Sequence, residues 1–320
     1  MSAPEPTPVP LGTWPTPLER APRLAAALGL GEDDLRIKRD DLAGPGGGGN
    51  KVRKLEHTLG RALAVGARAV VTSGAAQSNH ARLTAASAAR LGLAAVLVLE
   101  GEAPPQPRGN LVLDALLGAR LVWAGDVGAA GLAERVEQEA RALREAGTPT
   151  EVVPFGGSSA VGARGYAAAG AELLGQLPDL DAVVVAVGSG GTMAGLVHAL
   201  GAERVLGVDT GAVPDPGARV AALAGELAAQ DGAPPPGPLR LRSDQVGAGY
   251  AVLTPAVRDA MALVARTEGL VLDPVYTGRA AAGLVAAAAA GDVRPGRRTV
   301  LLHTGGLPGL FGHPDAATGW

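Results

Sequence analysis

The chain has 320 residues, 47% of them hydrophobic, and a net charge of −3, so it is long enough for one large or two medium domains with real cores. It contains no cysteine, which excludes disulfides, thiolate nucleophiles and cysteine metal sites and favours a reducing, cytoplasmic location. No apolar run reaches the roughly 20 residues that span a bilayer, the first residues lack the pattern of a secretory signal, and no basic block with interleaved aromatics predicts nucleic-acid binding.

Short apolar runs alternate with helical patterns along the chain. The nine predicted strands are residues 35–41, 67–74, 93–100, 119–125, 150–156, 181–188, 204–209, 270–276 and 298–306. Such runs are typical of strands buried on both faces, and their alternation with helices indicates parallel sheets. Nine strands exceed the about five or six of a typical sheet. We therefore predict an α/β fold with two lobes, each a mostly parallel sheet flanked by helices.

The first motif is GGGGNKVRKLE, residues 46–56, in which a glycine run leads into Asn50, Lys51 and a helical pattern. It is not a nucleotide-triphosphate loop, because that motif needs a hydroxyl residue directly after the lysine and Val52 stands there. Two interpretations stay open for Lys51: a surface lysine at a helix start, or a covalent anchor for a cofactor. The positive end of the helix dipole disfavours a protonated amine, which would help keep this lysine nucleophilic. The surplus glycines are interpreted as a habit of a chain with 48 glycines.

The second motif, VTSGAAQSNHARL at 71–83, runs from the end of a strand into a helix. Ser78, Asn79 and His80 stand where the helix begins, so free backbone N–H groups there can bind an anion such as a carboxylate. A simple N-terminal cap is the alternative, because Ser and Asn are preferred caps. The two interpretations are compatible.

The third motif, AVGSGGTMAGL at 186–196, has the context of a phosphate-binding glycine turn, because it follows a strand and opens a helix. A dinucleotide-binding fold needs G-x-G-x-x-G with an acidic residue about 20 positions further on. Gly188, Gly190 and Asp209 fit that pattern, but Met193 replaces the third glycine. A NAD-dependent dehydrogenase is therefore the more remote alternative, and a phosphate held by backbone N–H groups is favoured.

Two further motifs leave predicted strands with hydroxyl residues at their carboxyl ends. LDPVYTG places Tyr276 and Thr277 there, and LLHTGG places Thr304. Tyr250 lies in another glycine-flanked turn, whereas Tyr166 stands in an alanine-rich helix and is expected in the core. Taken singly, a turn tyrosine is more often a packing residue than a functional one. The histidines lack the H-E-x-x-H and H-x-x-x-H spacings, so no metal site is predicted.

The chain resembles the D-cysteine desulfhydrase and 1-aminocyclopropane-1-carboxylate deaminase family in the order and spacing of IKRDDL, GGNKVRKLE, SGAAQSNHARLTAA, PFGGSSAVGARGY, VGSGGTMAGL, LDPVYTG and LLHTGG. The resemblance spans about residues 35–312. It implies a pyridoxal-phosphate (PLP) enzyme of amino acid metabolism with the fold type II architecture of the tryptophan synthase β chain, working as a homodimer. It also implies a large PLP-binding domain over residues 1–54 and 156–320 and a small α/β domain over residues 55–155.

The resemblance implies a role for each motif at the cofactor. Lys51 is implied to bond covalently to the PLP aldehyde carbon, Asn50 to hydrogen-bond the ring oxygen, and Thr304 to face the pyridine nitrogen. The residues implied to hold the phosphate through backbone N–H groups are Gly188, Ser189, Gly190, Gly191 and Thr192.

The resemblance also implies the substrate side of the site. Ser78, Asn79 and His80 are implied to meet the substrate carboxylate, with Asn79 also near the ring and the Ser78 hydroxyl near the reacting carbon. Tyr250 and Tyr276 are implied to be proton donors or carboxylate contacts, and Thr277 is implied to bind the substrate beside them. One departure stands nearby: the family's GGSN turn reads GGSS, with Ser159 in place of Asn.

Two positions separate the branches of this family. Deaminases typically carry Glu after the DPVY tyrosine and Leu in place of the HTGG threonine, whereas this chain has Thr277 and Thr304. A carboxylate beside the pyridine nitrogen would make PLP a stronger electron sink, which ring opening could use, whereas elimination of a thiolate needs less help. The pair predicts α,β-elimination of D-cysteine, or a related small amino acid, to pyruvate, ammonia and sulfide, with the Lys51 amine removing the α-proton. The alternatives within the family are the deaminase and a lyase that expels sulfite.

Overall fold

The computed structural model describes residues 7–316 and residue 320. The strands are β1 (Leu18–Arg20), β2 (Leu35–Arg39), β3 (Ala69–Gly74), β4 (Ala94–Leu99), β5 (Arg120–Trp123), β6 (Thr150–Val152), β7 (Leu180–Val187), β8 (Val205–Asp209), β9 (Arg240–Arg242) and β10 (Arg298–His303). The helices are α1 (Pro22–Ala27), α2 (Lys51–Ala64), α3 (Asn79–Leu91), α4 (Asn110–Leu116), α5 (Gly128–Glu145), α6 (Ala160–Gln176), α7 (Gly191–Leu200), α8 (Pro216–Gln230), α9 (Pro255–Glu268), α10 (Thr277–Ala289) and α11 (Leu307–Gly312). None of these described helices is both long and apolar enough to cross a membrane.

The strands form two sheets, which confirms the predicted two-lobed α/β fold. One sheet has the order β1-β2-β10-β7-β8-β9 and is parallel except for the β1–β2 pair. The other has the order β5-β4-β3-β6 and is parallel throughout. The second sheet takes its strands from residues 69–152, whereas the first draws on both ends of the described chain. The domain boundaries themselves remain predictions, and the one after residue 54 falls inside α2.

Eight of the nine predicted strands are confirmed with altered ends, and the strand predicted over 270–276 is wrong. Residues 270–273 have no regular structure, and a turn over 274–276 leads into α10. The Asp273 carboxylate causes this break, because it accepts the backbone N–H groups of Val275, Tyr276 and Thr277 at 3.0, 2.9 and 2.8 Å. A side chain that satisfies the backbone in this way competes with strand pairing. The short strands β1 and β9 were missed, because LER and RLR contain no apolar run.

A buried ionic cluster fixes α2, the helix that begins at Lys51. The Arg53 guanidinium donates to Asp40 (Nε to Oδ2, 2.8 Å) and to Glu172 (Nη1 to Oε2, 2.9 Å). The Tyr166 hydroxyl donates to Asp40 from a fully buried position, which confirms that this tyrosine belongs to the core. Removing one partner of such a buried pair costs about 3–5 kcal/mol, because the other charge is left uncompensated. The start of α2 is therefore held in place by buried ion pairs.

The glycine run at 46–49 is a structural feature, so its interpretation as a compositional habit is wrong. All four glycines have positive φ, with values of 64°, 83°, 71° and 134°. A Cβ at Gly48 would lie 2.1 Å from the Asp41 carbonyl oxygen, and one at Gly49 would lie 3.0 Å from the Thr304 carbonyl oxygen. Only glycine fits where two backbones approach this closely. The run packs the loop before Lys51 against the loop that follows β10.

Candidate active site

A cavity of about 160 Å³ lies where the carboxyl ends of strands from both sheets meet. Such edges are where ligands bind in α/β proteins. Most of the predicted site residues line it: Asn50, Lys51, Ser78, Asn79, His80, Gly188, Ser189, Gly190, Thr192, Tyr250, Tyr276 and Thr304. Two predicted site residues, Gly191 and Thr277, lie outside this lining. The structure thus brings together five motifs that are widely separated in the sequence.

Lys51 stands at the first position of α2, where the helix dipole is positive. Its amine donates to the Asn50 side-chain oxygen at 3.0 Å. Burial and the nearby Arg82 charge lower the pKa of Lys51 to about 8, although the Asp273 carboxylate acts in the opposite direction. A lysine with this pKa is partly neutral at physiological pH and can act as a nucleophile or a base.

Asn50 joins three parts of the site. Its backbone N–H donates to the Thr304 carbonyl at 3.0 Å, and its side-chain nitrogen donates to the Thr192 hydroxyl at 3.0 Å. The lysine-bearing helix, the loop after β10 and the start of α7 are therefore connected through a single buried residue. This connection fixes Lys51 relative to the glycine turn.

The start of α3 has the predicted cap, and further hydrogen bonds from outside the cavity lining hold the Asn79 side chain. The Ser78 hydroxyl accepts the Ala81 N–H at 3.1 Å, so the capping interpretation is confirmed. The Asn79 side-chain oxygen accepts from the Asn110 amide at 3.1 Å, and Arg82 donates to the Asn110 side-chain oxygen at 3.1 Å. These bonds hold the Asn79 amide with its oxygen turned toward α4. The first backbone N–H groups of α3 lack partners within the helix, and Ser78, Asn79 and His80 all line the cavity.

His80 is held as a neutral ring. The Thr72 hydroxyl donates its single proton to the Val153 carbonyl at 2.8 Å, so at 2.8 Å it must accept from the Nε2–H of His80. Burial, together with the charges of Lys51 and Lys54, lowers the pKa of His80 well below its ordinary value. The ring therefore carries no charge with which to bind a carboxylate.

The glycine turn after β7 forms one end of the cavity. Gly190 has a φ of 88°, a left-handed conformation that caps the start of α7. The Gly191 N–H donates to the Ser158 hydroxyl at 3.1 Å, and that hydroxyl lies 2.8 Å from the Ser189 hydroxyl. Ser159, the departure from the family turn, caps α6 by accepting the Gly162 N–H at 3.1 Å. Serine and asparagine are both good caps, so this substitution keeps the turn intact.

Lys54 is a site residue that the sequence interpretation missed. It lines the cavity, is 1% exposed, and donates to the Gly156 carbonyl at 3.1 Å and the Ser158 hydroxyl at 3.0 Å. Burial, with the Lys51 charge nearby, lowers the pKa of Lys54 well below its ordinary value. Both of its hydrogen-bond partners are neutral, so a bound anion would supply the missing counter-charge. The signal was available, since Lys54 stands three residues after Lys51 on the same face of α2.

Whether the cavity fits a phosphate-bearing cofactor can be judged at the buried Lys54 amine, which lies beside the Gly190–Gly191 turn. A Cβ at Gly191 would lie 3.1 Å from the Lys54 nitrogen and 2.6 Å from the Ser158 hydroxyl, so the space there admits only backbone. A backbone cradle at a helix start, with a cation beside it, is the chemistry that binds phosphate. With Lys51 one helical turn before Lys54 on the same face of α2, the residues present fit PLP.

Two tyrosines form the wall beside Lys51 and Gly188, since a Cβ on Gly188 would lie 3.0 Å from the Tyr276 ring. The hydroxyls of Tyr250 and Tyr276 lie 2.8 Å apart, and the Tyr276 ring centre is 5.8 Å from the Lys51 nitrogen. Burial raises the pKa of Tyr250, and it raises that of Tyr276 well above its ordinary value. Both hydroxyls therefore stay protonated near neutral pH and can donate.

The loop that carries Tyr250 is held by a buried arginine. Arg279 is 0% exposed, and its Nη2 donates to the carbonyls of Gly249 at 2.7 Å and Val252 at 2.9 Å. Between these carbonyls, Ala251 adopts a φ of 59°, a strained conformation for a residue with a Cβ. Arg279 thus fixes the backbone on both sides of Tyr250.

Thr277, which sequence analysis placed beside the substrate, is instead engaged with Asp273. It is 2% exposed, its hydroxyl donates to the Asp273 carboxylate at 2.7 Å, and the same hydroxyl accepts the Asp273 N–H at 2.8 Å. Both hydrogen-bonding functions of the hydroxyl are thereby used at the start of α10. Its position next to Tyr276 made it a candidate, but the turn directs it away from the cavity lining.

A family model described as "Pyridoxal-phosphate dependent enzyme" matches residues 9–305, so the chain belongs to that family and PLP is its cofactor. The chain is 40% identical over 312 residues to a Pyrococcus abyssi protein named "Putative 1-aminocyclopropane-1-carboxylate deaminase", covering 93% of this chain and 91% of that protein. It is 38% identical over 319 residues to a D-cysteine desulfhydrase of Salmonella typhi, covering 94% of each. This family membership overturns the dehydrogenase alternative.

Solved structures agree with the fold. A crystal structure of an "ACC deaminase homologue" superposes with a TM-score of 0.89 at 37% identity, covering 97% of this chain and 94% of the other. A threonine deaminase of Solanum lycopersicum superposes with a TM-score of 0.62 at 18% identity, covering 92% of this chain and 80% of the other. The latter likeness concerns the fold alone.

Proposed function

We propose that this protein is a PLP-dependent carbon–sulfur lyase that converts D-cysteine, or a closely related small amino acid, to pyruvate, ammonia and sulfide. The observation that carries the proposal is the threonine pair: Thr277 puts a neutral hydroxyl where deaminases typically carry Glu, and Thr304 lines the cavity beyond the end of β10. A neutral neighbour for the pyridine ring suits the expulsion of a good leaving group better than the opening of a strained ring. The relative named as a desulfhydrase supports the same activity.

The cofactor would lie between Lys51 and the glycine turn. Lys51 would hold it covalently, Asn50 would bind its ring oxygen, and Thr304 would face its ring nitrogen. The phosphate would be held by Lys54 and by the backbone N–H groups of Gly188, Ser189, Gly190 and Thr192, whereas the predicted donor Gly191 already donates its N–H to the Ser158 hydroxyl. Bound PLP withdraws electrons from the substrate α-carbon and so stabilises the carbanion that elimination requires.

The chain's own residues would bind the substrate and move its protons. The start of α3, at Ser78 and Asn79, would bind the substrate carboxylate through backbone N–H groups. The Lys51 amine, with its pKa near 8, would take the α-proton. The C–S bond then breaks and the thiolate takes a proton, which Tyr250 and Tyr276 can supply because both stay protonated. The released 2-aminoacrylate reacts with water to give pyruvate and ammonia.

The activity is tested by supplying the purified holoenzyme with four substrates in parallel. D-Cysteine is expected to give sulfide and pyruvate, and L-cysteine reports the stereochemistry. Cysteate would give sulfite if the protein is a sulfite-expelling lyase. 1-Aminocyclopropane-1-carboxylate would give 2-oxobutyrate if it is a deaminase. Turnover of 1-aminocyclopropane-1-carboxylate without release of sulfide from D-cysteine would replace the proposal with the deaminase.

We also propose a cytoplasmic homodimer, with a small domain over residues 55–155 and a large PLP-binding domain formed by residues 1–54 and 156–320. Helices α4 and α11 pack together and expose apolar side chains: Val112 (50%), Leu116 (79%), Leu307 (46%) and Phe311 (70%). Exposed apolar patches of this kind mark protein contacts.

Light scattering should show a dimer that the double substitution Leu116→Asp and Phe311→Asp dissociates. Val65→Asp, at an exposed position at the end of α2, should leave the dimer intact.

A further inference from the structure

Glu100 is a charged group in the cavity wall to which the proposed function gives no role. It directly follows β4, and its backbone N–H donates to the Gly74 carbonyl at 3.0 Å. Gly74 ends the neighbouring strand β3, which leads to Ser78 at the start of α3. The Glu100 side chain is half-buried and lines the cavity. The register of β3 and β4 therefore places a carboxylate close to the expected site of the substrate.

Among the described residues, no cation forms an ion pair with Glu100. The two lysines of the cavity wall bind elsewhere, since Lys51 donates to Asn50 and Lys54 donates to Gly156 and Ser158. Asp273, the other carboxylate beside the site, has its oxygens occupied by the backbone of the turn before α10. The charge of Glu100 is therefore the one that faces the substrate space without a protein partner.

Glu100 lines the same cavity as the two lysines and lies near Tyr250. Burial is the main reason that the pKa of Tyr250 is raised, and the Glu100 carboxylate contributes to the same shift. Glu100 thus acts on Tyr250, which is hydrogen-bonded to Tyr276, whose ring lies 5.8 Å from the Lys51 nitrogen. The cavity lining therefore holds the two amines of Lys51 and Lys54 and one carboxylate, that of Glu100, which lies near Tyr250.

We propose that Glu100 sets the charge selectivity of the site, so that it accepts small amino acids with a neutral β-substituent and rejects those with an anionic one. The inference rests on the proposed lyase function of the same cavity. A thiol is neutral at physiological pH, whereas a sulfonate or a second carboxylate would lie beside a like charge in a partly desolvated space. Every substrate brings an α-carboxylate, so that charge cancels from the comparison. Two like charges that face each other across a small, partly desolvated cavity change the affinity on the order of tenfold.

D-Aspartate and D-asparagine test this selectivity, because they have nearly the same shape and differ in the charge of the β-group. Each is titrated into the holoenzyme while the visible absorbance of the cofactor reports binding, in the wild type and in Glu100→Gln. Glu102→Gln is the matched control, because Glu102 is exposed and lies outside the cavity lining two residues away. Thermal unfolding and cofactor absorbance establish that each variant is folded and loaded.

The expected result is that the ratio of the dissociation constants of D-aspartate and D-asparagine falls on the order of tenfold in Glu100→Gln. The ratio should be unchanged in Glu102→Gln. An unchanged ratio in Glu100→Gln, or an equal change in both variants, would overturn the proposal. The measurement needs no turnover. Charge selectivity without sulfide release would therefore refute the lyase, and sulfide release without charge selectivity would refute the role of Glu100.

Discussion

Two regions of the cavity wall are built in different ways: the region proposed to hold the phosphate, called the phosphate end, and the region proposed to hold the substrate, called the substrate end. At the phosphate end, Lys54, Ser158 and the glycine turn are buried and joined to one another by hydrogen bonds. At the substrate end, Tyr250 is 37% exposed and stands on a loop strained at Ala251, and Glu100 has no ion-pair partner among the described residues. A buried, hydrogen-bonded network suits a cofactor that stays bound, whereas more exposed side chains suit a substrate that must enter and leave. We expect the phosphate end to define the class of enzyme and the substrate end to define its substrate.

The largest expected effect comes from Lys51→Ala. Lys51 adjoins both regions, because it shares α2 with Lys54 and its nitrogen lies 5.8 Å from the Tyr276 ring centre. Loss of the amine removes both the covalent anchor and the proposed base, so turnover should fall by at least about 10³-fold. Sulfide release and the visible spectrum of the cofactor measure the two losses together. Lys51→Ala with wild-type turnover would remove Lys51 from the mechanism.

The phosphate end is tested by Lys54→Met. Losing a charge-assisted hydrogen bond should raise the dissociation constant of PLP by roughly 10- to 100-fold. Pyridoxal, which lacks the phosphate, serves as the control ligand and should bind the variant and the wild type alike. Equal weakening of both ligands in equilibrium dialysis would mean that Lys54 supports the fold rather than the phosphate.

The substrate end is tested by Arg279→Met. Releasing the carbonyls of Gly249 and Val252 should free the Tyr250 loop and lower kcat about tenfold, while PLP affinity stays unchanged. In a Tyr250→Phe background the same substitution should cost nothing further, because Arg279 acts through that hydroxyl. Amide hydrogen exchange over 247–252 should rise in Arg279→Met. If the two losses multiply, or if exchange is unaltered, Arg279 does not position Tyr250.

The smallest expected effect is the pH dependence of cofactor loading. The Lys51 amine attacks as the neutral form, whose fraction grows as pH rises through a pKa of about 8. The rate at which the apoprotein acquires visible absorbance with PLP should therefore rise about fivefold from pH 7 to pH 8 and level off above pH 9. A rate that still climbs about eightfold from pH 9 to pH 10 would place this pKa near the ordinary lysine value of 10.5.

Sequence patterns predicted the phosphate end better than the substrate end, and the reason is physical. A strand, a glycine turn and a helix are local in sequence, so Gly188 to Thr192 could be recognised together. Lys54 could have been found by its helical spacing from Lys51. Glu100, Arg279 and the Asp273 turn depend on which strand ends and loops become neighbours, and that is a property of the tertiary fold. The same limit explains Thr277, whose direction was decided by a carboxylate four residues earlier.

The central claim is that a PLP-bearing site with a neutral threonine at its ring end eliminates thiol from a small amino acid. The most direct measurement supplies the holoenzyme with D-cysteine and quantifies sulfide, pyruvate and ammonia in the same reaction. We expect all three in equal amounts, and none from Lys51→Ala. A holoenzyme that releases no sulfide from either enantiomer of cysteine, yet forms 2-oxobutyrate from 1-aminocyclopropane-1-carboxylate, would contradict the account.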